Sequence, residues 1–263
     1  MSKNANIHPT ACVHPKAQLE ECVSVGPFSV VGEQVRIGAQ TSLGNSCLID
    51  GHTQIGKRCK IFTGAVIGSI PQDLKYKGEK APVIIGDDNI IREYVTINSG
   101  TAEKGKTVIG NKNLLMAYCH VAHDCEIFDE VVIANVGTLA GHVSIEKRAV
   151  IGGLVAIHQF VRVGQFAIVG GCSKVTQDIP PYAMVDGHPA RVYGINNVGL
   201  KRANIPAESI QYLKTAFKIL FRIGLATTNA LKRIKNEIPP DSHVEYLIKF
   251  IENSQRGVCT GRV

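Results

Sequence analysis

The 263-residue sequence has no tryptophan, 3 methionines and only 6% aromatic residues, and no window approaches the roughly 18 consecutive apolar residues of a membrane-spanning helix. Stable membrane insertion is therefore not expected. Met1 to Pro9 also lacks the basic-then-apolar pattern of an export signal, which places the chain in the cytoplasm. Eight cysteines without such a signal read as free thiols, because the cytosol keeps thiols reduced. The basic C-terminal stretch lacks interleaved exposed aromatics and any reader motif, so nucleic acid is not an expected partner.

What is present is enough apolar residue, 44%, for one domain with a sizeable core and a smaller appendage. The net charge of +7 is unevenly spread. From Leu200 onward there are 11 Lys or Arg against 5 Asp or Glu, so most of the excess sits in the last quarter of the chain. That asymmetry suits an acidic partner, such as a phosphate group or an acidic protein.

Stepping by six from Ile7 to Val175 meets 29 positions, of which only Asp73, Glu79 and Glu103 are not Ile, Leu or Val. A period of six fits neither an amphipathic helix nor simple strand alternation, but it fits hexapeptide β-helix repeats. Three hexads make one triangular coil, so positions three hexads apart stack on one face. Gly often follows the aliphatic residue, as at Gly26, Gly38 and Gly152, where it is expected to permit the turn. The three breaks fall in polar segments near 68–84 and 98–108, read as loops ejected from the prism and functional by their length. From Pro206 the apolar spacing becomes helical, giving three helices broken near Gly224 and Pro239-Pro240. The expected fold is mainly β: a parallel β-helix of hexapeptide repeats over 1–195, followed by a small C-terminal α-helical domain over 196–263.

The stacking rule also turns sequence into a surface. Ala122-His123-Asp124, Ala140-Gly141-His142 and His158-Gln159-Phe160 share one phase on three successive coils, so His123 lies under Gly141 and Asp124 under His142. His120 lies nearby at the preceding turn. An imidazole held in one tautomer by Asp124 can act as a general base, worth about 10² to 10⁴ in rate. His120, His142 and His158 are then candidate substrate contacts. Cys47, Cys59, Cys119 and Cys125 occupy a slot also filled by Ala11, Thr41, Thr53, Ala65 and Ala149, so they read as small core residues and not as nucleophiles. Zinc held by His120, His123 and His142, as in β-helix carbonic anhydrases, is the alternative from another class, although the i, i+3 spacing sets the first two on different faces. Lys214, Lys218 and Arg222 form one helical stripe suited to docking an acidic carrier protein.

The segments QDLKY (72–76), HVAHDC (120–125), TLAGHVS (138–144), AIHQF (156–160), QDIPPY (177–182) and GLKR (199–202) closely resemble the UDP-N-acetylglucosamine acyltransferase family, over nearly the whole chain. The resemblance implies left-handed coiling, against the usual right-handed crossover rule, and a homotrimer with sites in the clefts between subunits. It implies transfer of a 3-hydroxyacyl group from acyl carrier protein to position 3 of a UDP-sugar, the first step of lipid A synthesis, with no cofactor and no metal. His123 matches the general base, Asp124 the residue that orients it and Gly141 the backbone donor to the oxyanion. Asp73, Lys75, His142, Gln159, Asn196 and Arg202 match positions that hold the nucleotide sugar. Gly171 matches the position that rules the acyl chain length. Two positions depart from the family pattern: Val198 stands where Glu is common, and Ala203 where a second Arg is common. Some members of the family acylate a 3-amino sugar and form an amide.

Overall fold

The computed structural model describes residues 5–102 and 105–261; Glu103, one of the three breaks in the period, lies outside them. As the period predicts, the chain winds into a left-handed parallel β-helix of about ten turns, and its three faces are sheets of 11, 9 and 8 strands. Most strands are two residues long: an outward residue, then the inward aliphatic one. Ile7 pairs with Val25, Val13 with Val31 and Leu19 with Ile37, in each case three hexads further along the chain. The register residues from Val25 upward are nearly all buried and fill the prism, each worth about 1.5–3 kcal/mol of transfer free energy. At the open N-terminal end Ile7 is 43% exposed.

The three-hexad rule stretches at the two ejected loops. Ile61 pairs with Ile91, five hexads on, and Ile97 with Val121, four hexads on. The first loop thus adds two whole hexads and the second adds one, which is why counting by six passes through both unbroken.

The glycines that follow the aliphatic residues do not serve the purpose expected of them. None of Gly26, Gly38 or Gly152 has positive φ. The left-handed residue of each corner comes two positions later and is mostly not glycine, as at Phe28 (φ 58°), Asp124 (φ 59°) and His142 (φ 61°). Glycine is needed because the coils touch: a Cβ on Gly38 would lie 2.6 Å from the backbone carbon of Gly56.

The cysteines do pack as core residues. Cys47, Cys59, Cys119 and Cys125 are buried, and each Sγ–H donates to a carbonyl of the next coil, at 3.1 Å for Cys119 to Ala134 O. Burial pushes the Cys119 thiol up to about 11, so it carries no thiolate near neutral pH. All eight cysteines are free.

One face is apolar on its outside as well. Ile90, Leu114, Val132, Val150, Ile168 and Met184 pair in succession up the first sheet at outward positions, and the two ends of this ladder, Ile90 and Met184, are 36% and 45% exposed. The adjoining corner carries exposed Phe28, Tyr94, Tyr118 and Leu154.

The far end of the prism is closed by an antiparallel hairpin, Ala183–Gly187 with Ala190–Ile195, which the six-residue count did not anticipate. Four helices follow, one more than the apolar spacing gave: α1 (Asn197–Arg202), α2 (Ala207–Phe221), α3 (Thr227–Glu237) and α4 (Ser242–Glu252). The additional one, α1, buries only Leu200, too little for a spacing pattern. Polar contacts fasten the helices to the prism: Tyr246 donates to Glu146, Ser254 to Asp178, and Gln165 to the Tyr182 hydroxyl, which also meets His243.

Candidate active site

The corner between the second and third sheets gathers the predicted group. On three successive coils this corner turns through a left-handed residue, in order Asp124, His142 and Phe160. Asx residues tolerate this conformation, which suits Asp124 to the corner on backbone grounds alone. The His142 amide donates to His123 O at 3.0 Å and ties the two coils together.

Asp124 is fully buried, and its Oδ2 lies 2.9 Å from His123 Nδ1 and 3.8 Å from His142 Nε2. Burial by itself would push this carboxyl up. Hydrogen bonds from Thr101 and His123, with the nearby His142, outweigh it and hold the group below the usual carboxylate range. An ionised Asp124 accepts, so His123 Nδ1 is the protonated nitrogen and Nε2 carries the lone pair that a base needs. The His123 side chain is 15% exposed and that of His142 11%. The His142 ring stands edge-on to His123, with centroids 5.1 Å apart, and stacks on Phe160 at 4.5 Å.

The ring of His123 lies against Gly141 so closely that a Cβ there would come within 2.6 Å of Nε2. The Gly141 amide makes no hydrogen bond among the described residues, so a donor is left unspent beside the His123 ring. Next to His142 and Phe160 opens a cleft of about 460 Å³, whose other walls include Glu126, Arg162 and Gln255.

The other predicted residues are placed less closely together. His120 is half-buried, its Nδ1 is 2.7 Å from Thr96 Oγ1, and burial holds its imidazole below the usual range. His158 and Gln159 are exposed on the coil above His142. Asp73 sits in the first ejected loop, where its carboxylate accepts from the amide of the exposed Lys75. Asn196 caps α1 through Gly199 N and donates to Phe166 O, and Arg202 ends that helix exposed. Gly171 is exposed without positive φ; the left-handed residue of its corner is Cys172. Lys214 and Lys218 share one exposed face of α2 and Arg222 caps its C-terminal end, all three around a groove of about 200 Å³ lined also by Phe217 and Phe221.

Zinc on three histidines is not supported. The ligand-type atoms that converge, within 4.8 Å of one another, belong to His123, Asp124 and His142. His120 is turned to Thr96, and His123 Nδ1 is committed to the carboxylate.

Sequence reasoning missed Thr101, whose amide and hydroxyl both donate to Asp124, and Thr107, whose hydroxyl accepts from the Asp124 amide. Thr101 lies where the period is interrupted, so no stacking count leads to it; Thr107 opens the strand in which the register resumes, under Cys125, and counting could have reached it.

Comparison with known proteins gives the family. A family model described as UDP N-acetylglucosamine O-acyltransferase, domain 2, matches residues 178–259. The acyl-[acyl-carrier-protein]--UDP-N-acetylglucosamine O-acyltransferase of Thiobacillus denitrificans is 48% identical over 255 residues, covering 97% of this chain and 99% of that protein. The chain belongs to the UDP-N-acetylglucosamine O-acyltransferase family. A second member, from Thermodesulfovibrio yellowstonii, is 50% identical over 254 residues and covers 96% of this chain and 98% of its own. The solved UDP-N-acetylglucosamine acyltransferase of Bacteroides fragilis superposes with a TM-score of 0.94 at 42% identity, over 95% of this chain and 98% of the other. Among the described residues no helix is long and apolar enough to cross a membrane.

Proposed function

We propose that this acyltransferase moves a 3-hydroxyacyl chain from acyl carrier protein to position 3 of UDP-N-acetylglucosamine, the first step of lipid A biosynthesis. The observation that carries the reading is the His123–Asp124 pair, packed against Gly141 on the family's fold. His123 Nε2 takes the proton of the sugar 3-hydroxyl as its oxygen attacks the thioester carbonyl. The oxyanion accepts from the Gly141 amide, an interaction typically worth about 10² to 10³ in rate. Collapse of the tetrahedral adduct breaks the C–S bond, and the imidazolium returns its proton to the carrier thiolate. Buried Asp124 steadies that imidazolium. A 3-amino acceptor would react through the same steps to an amide.

Asp73, Lys75, His120, His142, His158, Gln159, Asn196 and Arg202 are assigned to the nucleotide sugar. They are spread from an ejected loop to α1, which suits a site completed by a neighbouring subunit. The outward aliphatic ladder supports a homotrimer, because it forms a continuous apolar file, exposed at Ile90 and Met184 and half-buried between them, that a neighbouring subunit would cover. The direct test is to assay purified protein with UDP-N-acetylglucosamine or its 3-amino analogue against a series of acyl carrier protein thioesters; no transfer to either would overturn the reading.

Acyl length is assigned to Gly171. A Cβ there would meet the Gly153 backbone, at 3.3 Å from its carbonyl oxygen and 3.9 Å from its nitrogen, so glycine leaves unfilled a place that a longer side chain would take up. Each methylene that an open groove buries contributes about 0.8 kcal/mol, so chains of about 14 carbons or more are expected to be preferred. Gly171→Met should shift the preference to shorter chains. If wild type prefers short chains, or the folded variant keeps the wild-type profile of kcat/KM, the ruler lies elsewhere.

The carrier protein is assigned to the basic stripe on α2. Arg222 also donates to Tyr193 O, so a change there would disturb the fold. Reversing Lys214 and Lys218 alone should raise KM for the acyl carrier substrate several-fold and flatten its dependence on salt. An unchanged KM would mean that the stripe is only solvated surface.

A further inference from the structure

The second ejected loop turns back onto the catalytic corner from outside the repeat. Asp124 receives from it three hydrogen bonds: Thr101 N at 3.0 Å to Oδ1 and 3.2 Å to Oδ2, and Thr101 Oγ1 at 2.6 Å to Oδ2. Thr101 is itself 8% exposed. The packing is close, since a Cβ on Gly100 would lie 2.9 Å from Asp124 Oδ1 and 2.6 Å from Lys106 N. Below, Thr107 Oγ1 accepts from the Asp124 amide at 2.9 Å.

The carboxylate has a choice of partner. His123 Nδ1 lies 2.9 Å from Oδ2 and His142 Nε2 lies 3.8 Å from the same oxygen. Among the described residues these are the titratable groups that face Asp124, one from its own coil and one from the coil above. A carboxylate held only by its own side-chain torsions could turn from the first imidazole toward the second, which stands just beyond hydrogen-bond reach of the same oxygen. The geometry assigns Thr101 the part of a positioning residue: by gripping both carboxylate oxygens it fixes the plane of Asp124 on His123 Nδ1 and keeps it from turning to His142. A merely structural Thr101 would hold the loop and leave the base indifferent to the hydroxyl. The inference rests on the reading of His123 as the base, and the experiment separates the two.

Thr101→Val removes the hydroxyl at nearly constant volume. A hydrogen bond to a buried charged group is lost, so kcat should fall about 10- to 100-fold, while KM for the UDP-sugar and for the acyl carrier substrate stays within about 3-fold. Thr101→Ser, which keeps the hydroxyl, should recover most of the loss. In ¹⁵N-histidine NMR spectra the wild-type protein should show His123 as the Nδ1–H tautomer, and Thr101→Val should show a tautomer mixture. If the valine variant does not fold, Thr101→Cys, with a weak S–H donor in the same place, carries the same measurements. Wild-type kcat in the folded valine variant, equal loss in valine and serine, or an unchanged tautomer would overturn the assignment of Thr101. His123→Ala is run beside them: if it keeps its activity, the base reading fails, whereas the tautomer spectra still report on Thr101 alone.

Discussion

His123→Ala is expected to lower kcat by at least about 10²-fold with the fold intact, because it deletes the general base and no core side chain. The ring lies at a corner of the prism, outside the stacked aliphatic residues. Among the described residues its ring hydrogen bonds to Asp124 alone, and the main-chain bond from the His142 amide to His123 O is indifferent to the side chain. Removing the ring leaves a buried carboxylate that Thr101 still satisfies at both oxygens. Circular dichroism and the thermal midpoint should therefore stay near wild type while turnover collapses. A folded variant with near-normal turnover would remove His123 from the mechanism and with it the proposed proton path.

Gly141→Ala is expected to lower kcat by about 10²-fold or more through the same ring, without touching it chemically. The backbone at Gly141 is outside the left-handed region, so alanine is conformationally acceptable there. The new methyl would lie 2.5 Å from His123 Cε1 and 2.6 Å from Nε2, well inside van der Waals contact. The atoms it meets are the far end of a side chain, so the ring gives way and the coil does not. It would swing off the Asp124 axis and away from the thioester, and a misplacement of about 1 Å is enough to cost 10² in rate. The methyl also crowds the amide assigned to the oxyanion. The check is single-turnover kinetics beside thermal unfolding. Wild-type kcat would mean that the ring finds a second productive position, and a large fall in Tm would mean that the clash is taken by the backbone.

The prism and its catalytic corner were legible because both follow from one period. Ile, Leu or Val at every sixth position fixes which residues share a face, and the stacking of His123, Asp124, Gly141 and His142 needs nothing more than addition. What escaped has physical causes. The glycines were read as turn residues because the sequence records that a side chain is absent, not whether φ or a neighbouring coil forbids it; the contact of Gly38 with Gly56 is visible only in three dimensions. The hairpin at 183–195 pairs antiparallel, outside any parallel repeat. Thr101 reaches Asp124 from a loop whose path no periodicity describes. Residues proposed for the nucleotide sugar, such as Asn196, whose side chain already caps a helix, came from family likeness and not from spacing.

The stack also decides how the molecule comes apart. Each coil of a solenoid touches only its two neighbours, so stability is passed along a line and opening proceeds inward from the termini. Here the coil of Ile7 is the more exposed one, at 43% for Ile7 itself, while the opposite end is covered by the hairpin and tied to the helices through Glu146 and Asp178. His123 belongs to the coil of Leu115, Val121 and Ile127, with five coils of register residues between it and the coil of Ile7 inclusive. Opening at the first described coil is expected to die out along the row before it reaches His123, which sets the proposed acyl-transfer site in the quiet middle of a one-dimensional chain.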